Sequence, residues 1–307
     1  MHPILSLAPG TVNLADMSST ADSVLDAVAA IAAFQQATEL NGATPARVGN
    51  VLTFTADNAA DVLVSADLHG NRRNYDAILA LADLERNPRR HLIMQEVCHG
   101  GPTYADGGCM SHRMLEDVAK LKVRYPERFH FLLSNHELSE LTDFPIMKSR
   151  KMLNVMFRLG LKAAYGDQAD AVRAAAMEFI ASCPLAARIG QTVFVSHSCP
   201  ERSDTDCFDA EVLARPYAKR DLCDGGAAFR TVWGRDFRSQ NAAAFAKAVN
   251  AKCLIHGHEP CPMGYRIPND RQIIIDCCGD QAYVALIPTD RELTHAQAVQ
   301  CLKRLDT

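Results

Sequence analysis

The chain of 307 residues has no run of about eighteen apolar residues, so nothing in it reads as a membrane-spanning helix. Its first residues, MHPILSLAPGTVNLADMSS, lack a basic stretch followed by a long apolar one, which argues against a secretory leader. There is no CxxC pair among the eleven cysteines, and so no zinc-ribbon spacing. Their odd number, in a chain of this length, also argues against a disulfide scaffold. Reduced, mostly buried thiols in a cytoplasmic protein are the expectation. Net charge is −4 with histidine neutral, so no overall pull draws the chain to a nucleic-acid duplex or an anionic membrane. Internal repeats, low-complexity tracts and linker-like segments are missing too.

What is there is ordinary globular composition, 48% hydrophobic and 22% charged, enough to bury a core. Residues 20–40 have helical periodicity, with Ser19, Thr20 or Asp22 as capping candidates and Asn41-Gly42 closing the helix. On this reading residues 1–45 are a helical appendage. Residues 46–307 are the main domain, with a helical insertion near 140–190. Strand-like runs occur at 48–55, 62–66, 91–95, 129–134, 192–196 and 252–256, with further ones in GYRI, QIIIDC and AYVALI. Helical spacing marks 71–84, 112–122, two stretches in 148–182, 240–250 and 291–303.

Five of the strand-like runs stop on polar residues. LVSADLHGN ends on Asp67 and His69; HLIMQ on Glu96; FHFLLS on Asn135, His136 and Glu137; TVFVS on His197; KCLIH on His256, Gly257 and His258. A strand has no packing reason to finish on an acid and a histidine. In α/β proteins the carboxyl ends of parallel strands share one edge, where ligands bind. Asp67, His69, Glu96, Asn135, His197 and His258 therefore form a mixed nitrogen and oxygen set suited to Mn, Fe, Zn or Ni, with too few oxygens for calcium. Six ligands are too many for one open catalytic ion and suit two ions with a bridging carboxylate.

In these residues the chain resembles the calcineurin-like metallophosphoesterases, whose signature is DxH…GDxxD…GNHE…H…GHx. The segments SHRMLEDVAKLKVRYPERFHFLLSNHE (111–137) and GYRIPNDRQIIIDCCGDQAY (264–283) are similar to the phosphoprotein phosphatase branch. The resemblance implies an α/β fold with a two-sheet β-sandwich flanked by helices. It implies two divalent ions, with manganese the favoured one in vitro. Asp67, His69 and Glu96 would hold one ion; Glu96, Asn135, His197 and His258 would hold the other. A water activated by the ions would attack phosphorus, and His136 would protonate the leaving oxygen. The implied partner is a phosphorylated protein or small phosphate ester.

The second motif departs from the pattern. Gln95-Glu96-Val97-Cys98-His99 stands where GDxxD is expected, so the bridging aspartate is a glutamate. The partner of His136 is then His99 or Asp106, and spacing favours Asp106, which opens a DRGxxS-like run at 106–111. The family's arginines are missing, with Arg72, Arg73, Arg113 and Arg235 as replacements for binding phosphate; Arg72 and Arg73, next to the first motif, lead. Two other readings stay open: a nucleotide or dinucleoside-polyphosphate hydrolase or phosphodiesterase, and a non-catalytic metal-binding regulator of the same fold. His91, His112, His130 and His295 read as structural or exposed, Trp233 as a core anchor, and Cys98 and Cys109 as inert buried thiols.

Overall fold

The computed structural model describes residues 26–306. The part of the expected appendage before residue 26, with the capping candidates Ser19, Thr20 and Asp22, lies outside the described residues. Helix α1 (Ala27–Gly42) is instead capped by Asp26, whose carboxylate accepts from the Ala29 N–H at 3.1 Å. It buries Ala30, Phe34 and Ala37 against α3 (Ser111–Arg124) and α6 (Ala169–Ser182).

Two sheets carry the fold. The first has β3 (Asp61–Val64) between β4 (Arg90–Gln95) and β13 (Tyr283–Pro288), with β5 (Phe129–Leu132) and β14 (Leu302–Arg304) at its edges. Strands β3, β4 and β5 run parallel, as their near-continuous apolar sequences require when both faces are covered. The second sheet has the order β1 (Arg47–Val48), β2 (Val51–Phe54), β8 (Ala186–Ile189), β9 (Val193–Ser196), β10 (Cys253–His256), β12 (Gln272–Ile275), β11 (Tyr265–Arg266). There β9, β10 and β12 are parallel to one another. A separate hairpin joins β6 (Met147–Lys148) to β7 (Lys151–Met152). This is the expected sandwich of two sheets flanked by helices.

Helix α2 (Arg72–Ala82) starts at Asn71, whose side chain caps the Asn74 N–H at 3.2 Å and also donates to the Cys278 carbonyl at 2.9 Å. Asn74 donates to the carbonyls of Cys277 and Gly279 at 2.7 and 2.8 Å. One helix start is thereby tied to the loop after β12, and that loop is held at the carboxyl end of β3.

The helical stretch expected at 291–303 is shorter. Thr294 and Gln297 make a capping box over the short helix 295–299, which buries Ala298, after which the chain turns into β14 and pairs with β13. Strand β8 was not evident in the sequence, because LAARI lacks the alternation or β-branched run that marks a strand. Helix α4 (Asn135–Thr142) was likewise hidden behind the motif that begins it. The expected helices in 148–182 are α5 (Leu153–Tyr165) and α6. No helix among the described residues is long and apolar enough to cross a membrane.

Candidate metal centre

The carboxyl ends of β3, β4, β5, β9 and β10 deliver Asp67, His69, Glu96, Asn135, His197 and His258 to one cavity of about 490 Å³. His197 sits behind its wall, fully buried. Glu96 is the hub. Its Oε1 lies 3.0 Å from His69 Nε2, and its Oε2 lies 2.7 Å from His197 Nε2. Asn135 Oδ1 is 2.7 Å from His197 Nε2 and 2.9 Å from His258 Nδ1. Donor atoms of His69, Glu96 and His136 fall within 4.8 Å of one another, and so do those of Glu96, His197 and His258.

The two triads share only Glu96. Despite its 2.7 Å approach to His197, Glu96 Oε2 takes no hydrogen bond of acceptable geometry. A fully buried carboxylate oxygen among imidazole nitrogens, with no proton aimed at it, fits a cation better than a network of hydrogen bonds. The donor chemistry therefore fits divalent ions. Asp67 stands beside the triads, its Oδ1 accepting the His258 backbone N–H at 2.8 Å.

The loops are strained to make this fit. His69, Glu96, His99 and His258 all have left-handed backbones, with φ of 44°, 39°, 64° and 69°. Each such non-glycine residue costs about 1–2 kcal/mol, strain of the kind that concentrates at functional sites. Gly257 is required by close approach: a Cβ there would meet Asp67 Oδ1 at 2.4 Å.

Supporting residues fix the candidate donors. Gln95 Oε1 lies 3.2 Å from His197 Nδ1, and Gln95 Nε2 donates to the Ser65 carbonyl at 3.0 Å. Thus the residue before Glu96 orients a histidine from the other sheet. The Cys98 carbonyl is 3.0 Å from His69 Nδ1. Glu137 Oε1 accepts the Val97 and Cys98 N–H groups, both at 2.9 Å, which ties the turn after β4 to the start of α4. The ring of Trp233 lies edge-on to His258, with centroids 5.9 Å apart.

Electrostatics follow from crowding. Burial pushes Asp67 up to about 7, with the charge of Glu96 adding to it. Burial opposes ionisation of Glu96 as well, but His136, His197 and His69 outweigh it and hold the carboxyl well below its usual range. Burial also works against protonation of His69, yet Glu96 and Asp67 draw it up to about 9. His136 is pushed down to about 3 by burial, and burial holds His258 well below its usual value. Ligation needs bare imidazole nitrogens and ionised carboxylates, so a bound cation competes with the protons on His69 and Asp67.

The expectation for the partner of His136 is corrected. His99 Nδ1 lies 2.9 Å from His136 Nδ1, and His99 Nε2 lies 2.8 Å from Glu140 Oε1. The side chains of His99 and Glu140 are fully buried. Asp106 is exposed and accepts the Gly108 N–H at 2.9 Å, a local turn contact. Motif spacing pointed to Asp106 because it could not register that His99, left-handed and pinned by Ser111 Oγ at 3.0 Å, is turned inward. Glu140 was missed. Its signal was its position on α4, four residues after His136 and so on the same helix face.

The phosphate arginines are corrected in part. Arg72 pairs with Asp117 at 2.7 Å and lies over the Tyr75 ring, and Arg73 faces Asp280 at 3.8 Å; neither lines the cavity. Helix α2 turns both away from the strand end they follow. Arg235 does line it, with its Nε 3.1 Å from His258 Nε2 and 3.0 Å from Glu259 Oε1. Arg113 borders a different cavity. His256 is buried against β9, with Nδ1 3.1 Å from the Ser196 carbonyl, and belongs to neither triad. Cys98 and Cys109 are buried, and all eleven cysteines are free thiols.

The profile of the calcineurin-like phosphoesterase family matches residues 60–262, and the chain belongs to that family, whose members are hydrolases of phosphate esters. The fold agrees. A protein serine/threonine phosphatase from Saccharomyces cerevisiae, with similarity to human phosphatase PP5, superimposes with a TM-score of 0.63 at 16% identity, over 92% of this chain and 90% of that one. A cold-active protein-tyrosine phosphatase of a psychrophilic Shewanella species superimposes with a TM-score of 0.52 at 14% identity, over 87% of this chain and 84% of that one. No curated protein matches by sequence.

Proposed function

We propose that this phosphoesterase is dinuclear and removes phosphate from phosphorylated peptides or proteins. The observation that carries the reading is the sharing of Glu96 between two donor triads. On this reading His69, Asp67 and Glu96 hold one ion, with His136 close by; Glu96, Asn135, His197 and His258 hold the other. Divalent ions held by these residues would lower the pKa of a water and neutralise charge on the phosphoryl oxygens. Glu96, one methylene longer than aspartate, sits on a left-handed backbone, φ 39°.

The chain's own groups supply the rest. Arg235, at the mouth beside His258, is the cation for a phosphoryl oxygen. His136 Nε2 carries a proton to the leaving oxygen. With Glu140 accepting from His99 Nε2–H, His99 Nδ1 is left to accept the Nδ1–H of His136. Burial makes an imidazolium at 136 costly; the charge of Glu96, 3.8 Å from Nε2, works against that cost, as does the Glu140 carboxylate behind His99 at the end of the relay. Of the four arginines expected to bind phosphate, only Arg235 lines the cavity, which suits a single phosphoryl group better than a polyphosphate chain. Turnover of p-nitrophenyl phosphate, a phosphoserine peptide and a dinucleoside tetraphosphate, each with and without added Mn²⁺, tests this. Manganese-dependent hydrolysis of the first two is expected; hydrolysis of the tetraphosphate alone refutes it.

A further inference from the structure

A short basic hairpin overhangs the mouth of the metal centre. It is β6–β7, Met147-Lys148-Ser149-Arg150-Lys151-Met152, with all six residues exposed. Met147 and Lys148 line the same cavity as Asp67, His69 and Glu96. Among the described residues, the side chains of Lys148, Arg150 and Lys151 have no ion-pair or hydrogen-bond partner, and the backbone of the two lysines pairs only within the hairpin. By contrast, arginines 72, 90, 215 and 238 pair with carboxylates.

The hairpin also works against its own stability in two ways. Lys148 and Lys151 are direct cross-strand partners, and like charges in that register repel. The two turn residues, Ser149 and Arg150, have φ of 50° and 63°, the left-handed pair that two-residue hairpin turns demand and that Asn-Gly fills best. An arginine stands where glycine fits better, and a lysine faces a lysine. Both are unfavourable for the free hairpin and favourable for one that receives anions. The neighbouring rim is apolar, with Met147 61% and Met263 70% exposed and Pro260 and Pro262 lining the cavity.

We propose that this hairpin is a docking lip for acidic residues flanking the phosphorylated residue of a peptide substrate. The proposal rests on the phosphoesterase reading above and names its substrate class. Size decides between a peptide and a compact anion. The hairpin reaches outward from the cavity at roughly 3.3 Å per residue, so its tip meets side chains about two to four positions along an extended peptide. A small polyphosphate seated at Glu96 meets Lys148 and leaves Arg150 and Lys151 in solvent. Methionines beside cations suit a peptide of varied sequence, because the thioether adapts its shape to what it meets.

The test compares wild type with Arg150→Gly/Lys151→Ser. Glycine relieves the turn and serine removes the repulsion, so the variant keeps the fold, which an unchanged or raised Tm verifies. The substrates are a phosphoserine peptide with Asp and Glu flanks and the same peptide with Asn and Gln flanks. Binding of a fluorescein-labelled phosphonate analogue of the acidic peptide is followed by anisotropy. Exposed ion pairs are weak singly, so the loss of two predicts that the acidic-to-neutral ratio of kcat/KM falls by about tenfold, with a matching rise in Kd and a flatter salt dependence. An unchanged ratio, or an equal loss on both peptides, overturns the proposal. Wild-type turnover of p-nitrophenyl phosphate with Mn²⁺ reports on the phosphoesterase reading by itself. If that turnover is absent, the anisotropy still decides, and an unchanged Kd between wild type and variant overturns the docking lip.

Discussion

Glu140→Gln replaces a fully buried carboxylate with an amide of the same shape, at the far end of a chain of contacts from His136 through His99. The amide oxygen can still accept from His99 Nε2–H, so the tautomer survives and only the charge is lost. Across one imidazole and two contacts of 2.8 and 2.9 Å, the carboxylate is about 8 Å from the His136 ring, worth about 2 kcal/mol at an effective dielectric of about 20. That predicts a loss of about 30-fold in kcat when a proton must reach the leaving oxygen. The assay is kcat for a series of phosphate esters from p-nitrophenyl to alkyl. A nitrophenolate leaves without much help from an acid, so its loss is a few-fold, while alkyl esters show the whole effect. Metal content stays at the wild-type value, because Glu140 belongs to neither donor triad. Arg173 keeps its 3.0 Å bond to Asp143, which limits the disturbance around the new amide. A uniform loss across all leaving groups, or none for alkyl esters, refutes the relay.

Three more outcomes follow from the same geometry. Asp106→Asn leaves kcat within about twofold of wild type whereas His99→Asn lowers it at least as much as Glu140→Gln, since a surface change away from special features is small; the reverse ranking restores the Asp106 alignment. Gly257→Ala drives a Cβ onto Asp67 Oδ1, so metal content and turnover fall together in elemental analysis and phosphatase assay; normal metal content means that the loop yields without harm. Lys122 is buried at the end of α3, donating to Thr44 Oγ1 and the Pro126 carbonyl, both at 2.7 Å, and burial pushes it down to about 8. Below pH 8 folded and unfolded chains both hold its proton and the folded state bears the burial cost; as pH rises from about 8 towards its ordinary 10.5, only the unfolded chain keeps the proton, so stability rises. Relative to Lys122→Met, denaturant titrations of wild type gain about 2 kcal/mol between pH 7.5 and 9.5; a flat difference means that Lys122 is not perturbed.

Much of the site could be read in the sequence because its candidate ligands end strands. Asp67, Glu96 and His197 each follow a run apolar enough to be buried on both faces, and a polar residue at that point stands out. The sandwich of two sheets was legible for the same reason. What the sequence hid was direction. Arg72 and Arg73 sit next to the first motif, but the cap at Asn71 starts a helix that carries them to another face. His99 and Asp106 both fit the spacing, and the choice depended on which way a strained loop turned. Glu140 and Gln95 act through other residues, His99 and His197, and a contact of that kind leaves no trace in spacing. The Lys148–Lys151 juxtaposition needed the register of a two-residue hairpin, which MKSRKM does not announce without Asn-Gly at its turn.

Under the proposed function, Glu96 joins two ions. Elemental analysis of the purified protein after manganese loading, alongside Glu96→Gln, tests it most directly. Close to two ions per chain are expected in the wild type, and one or none in the variant with turnover lost in parallel. One ion per chain in the wild type with turnover intact, or two in both proteins, contradicts it.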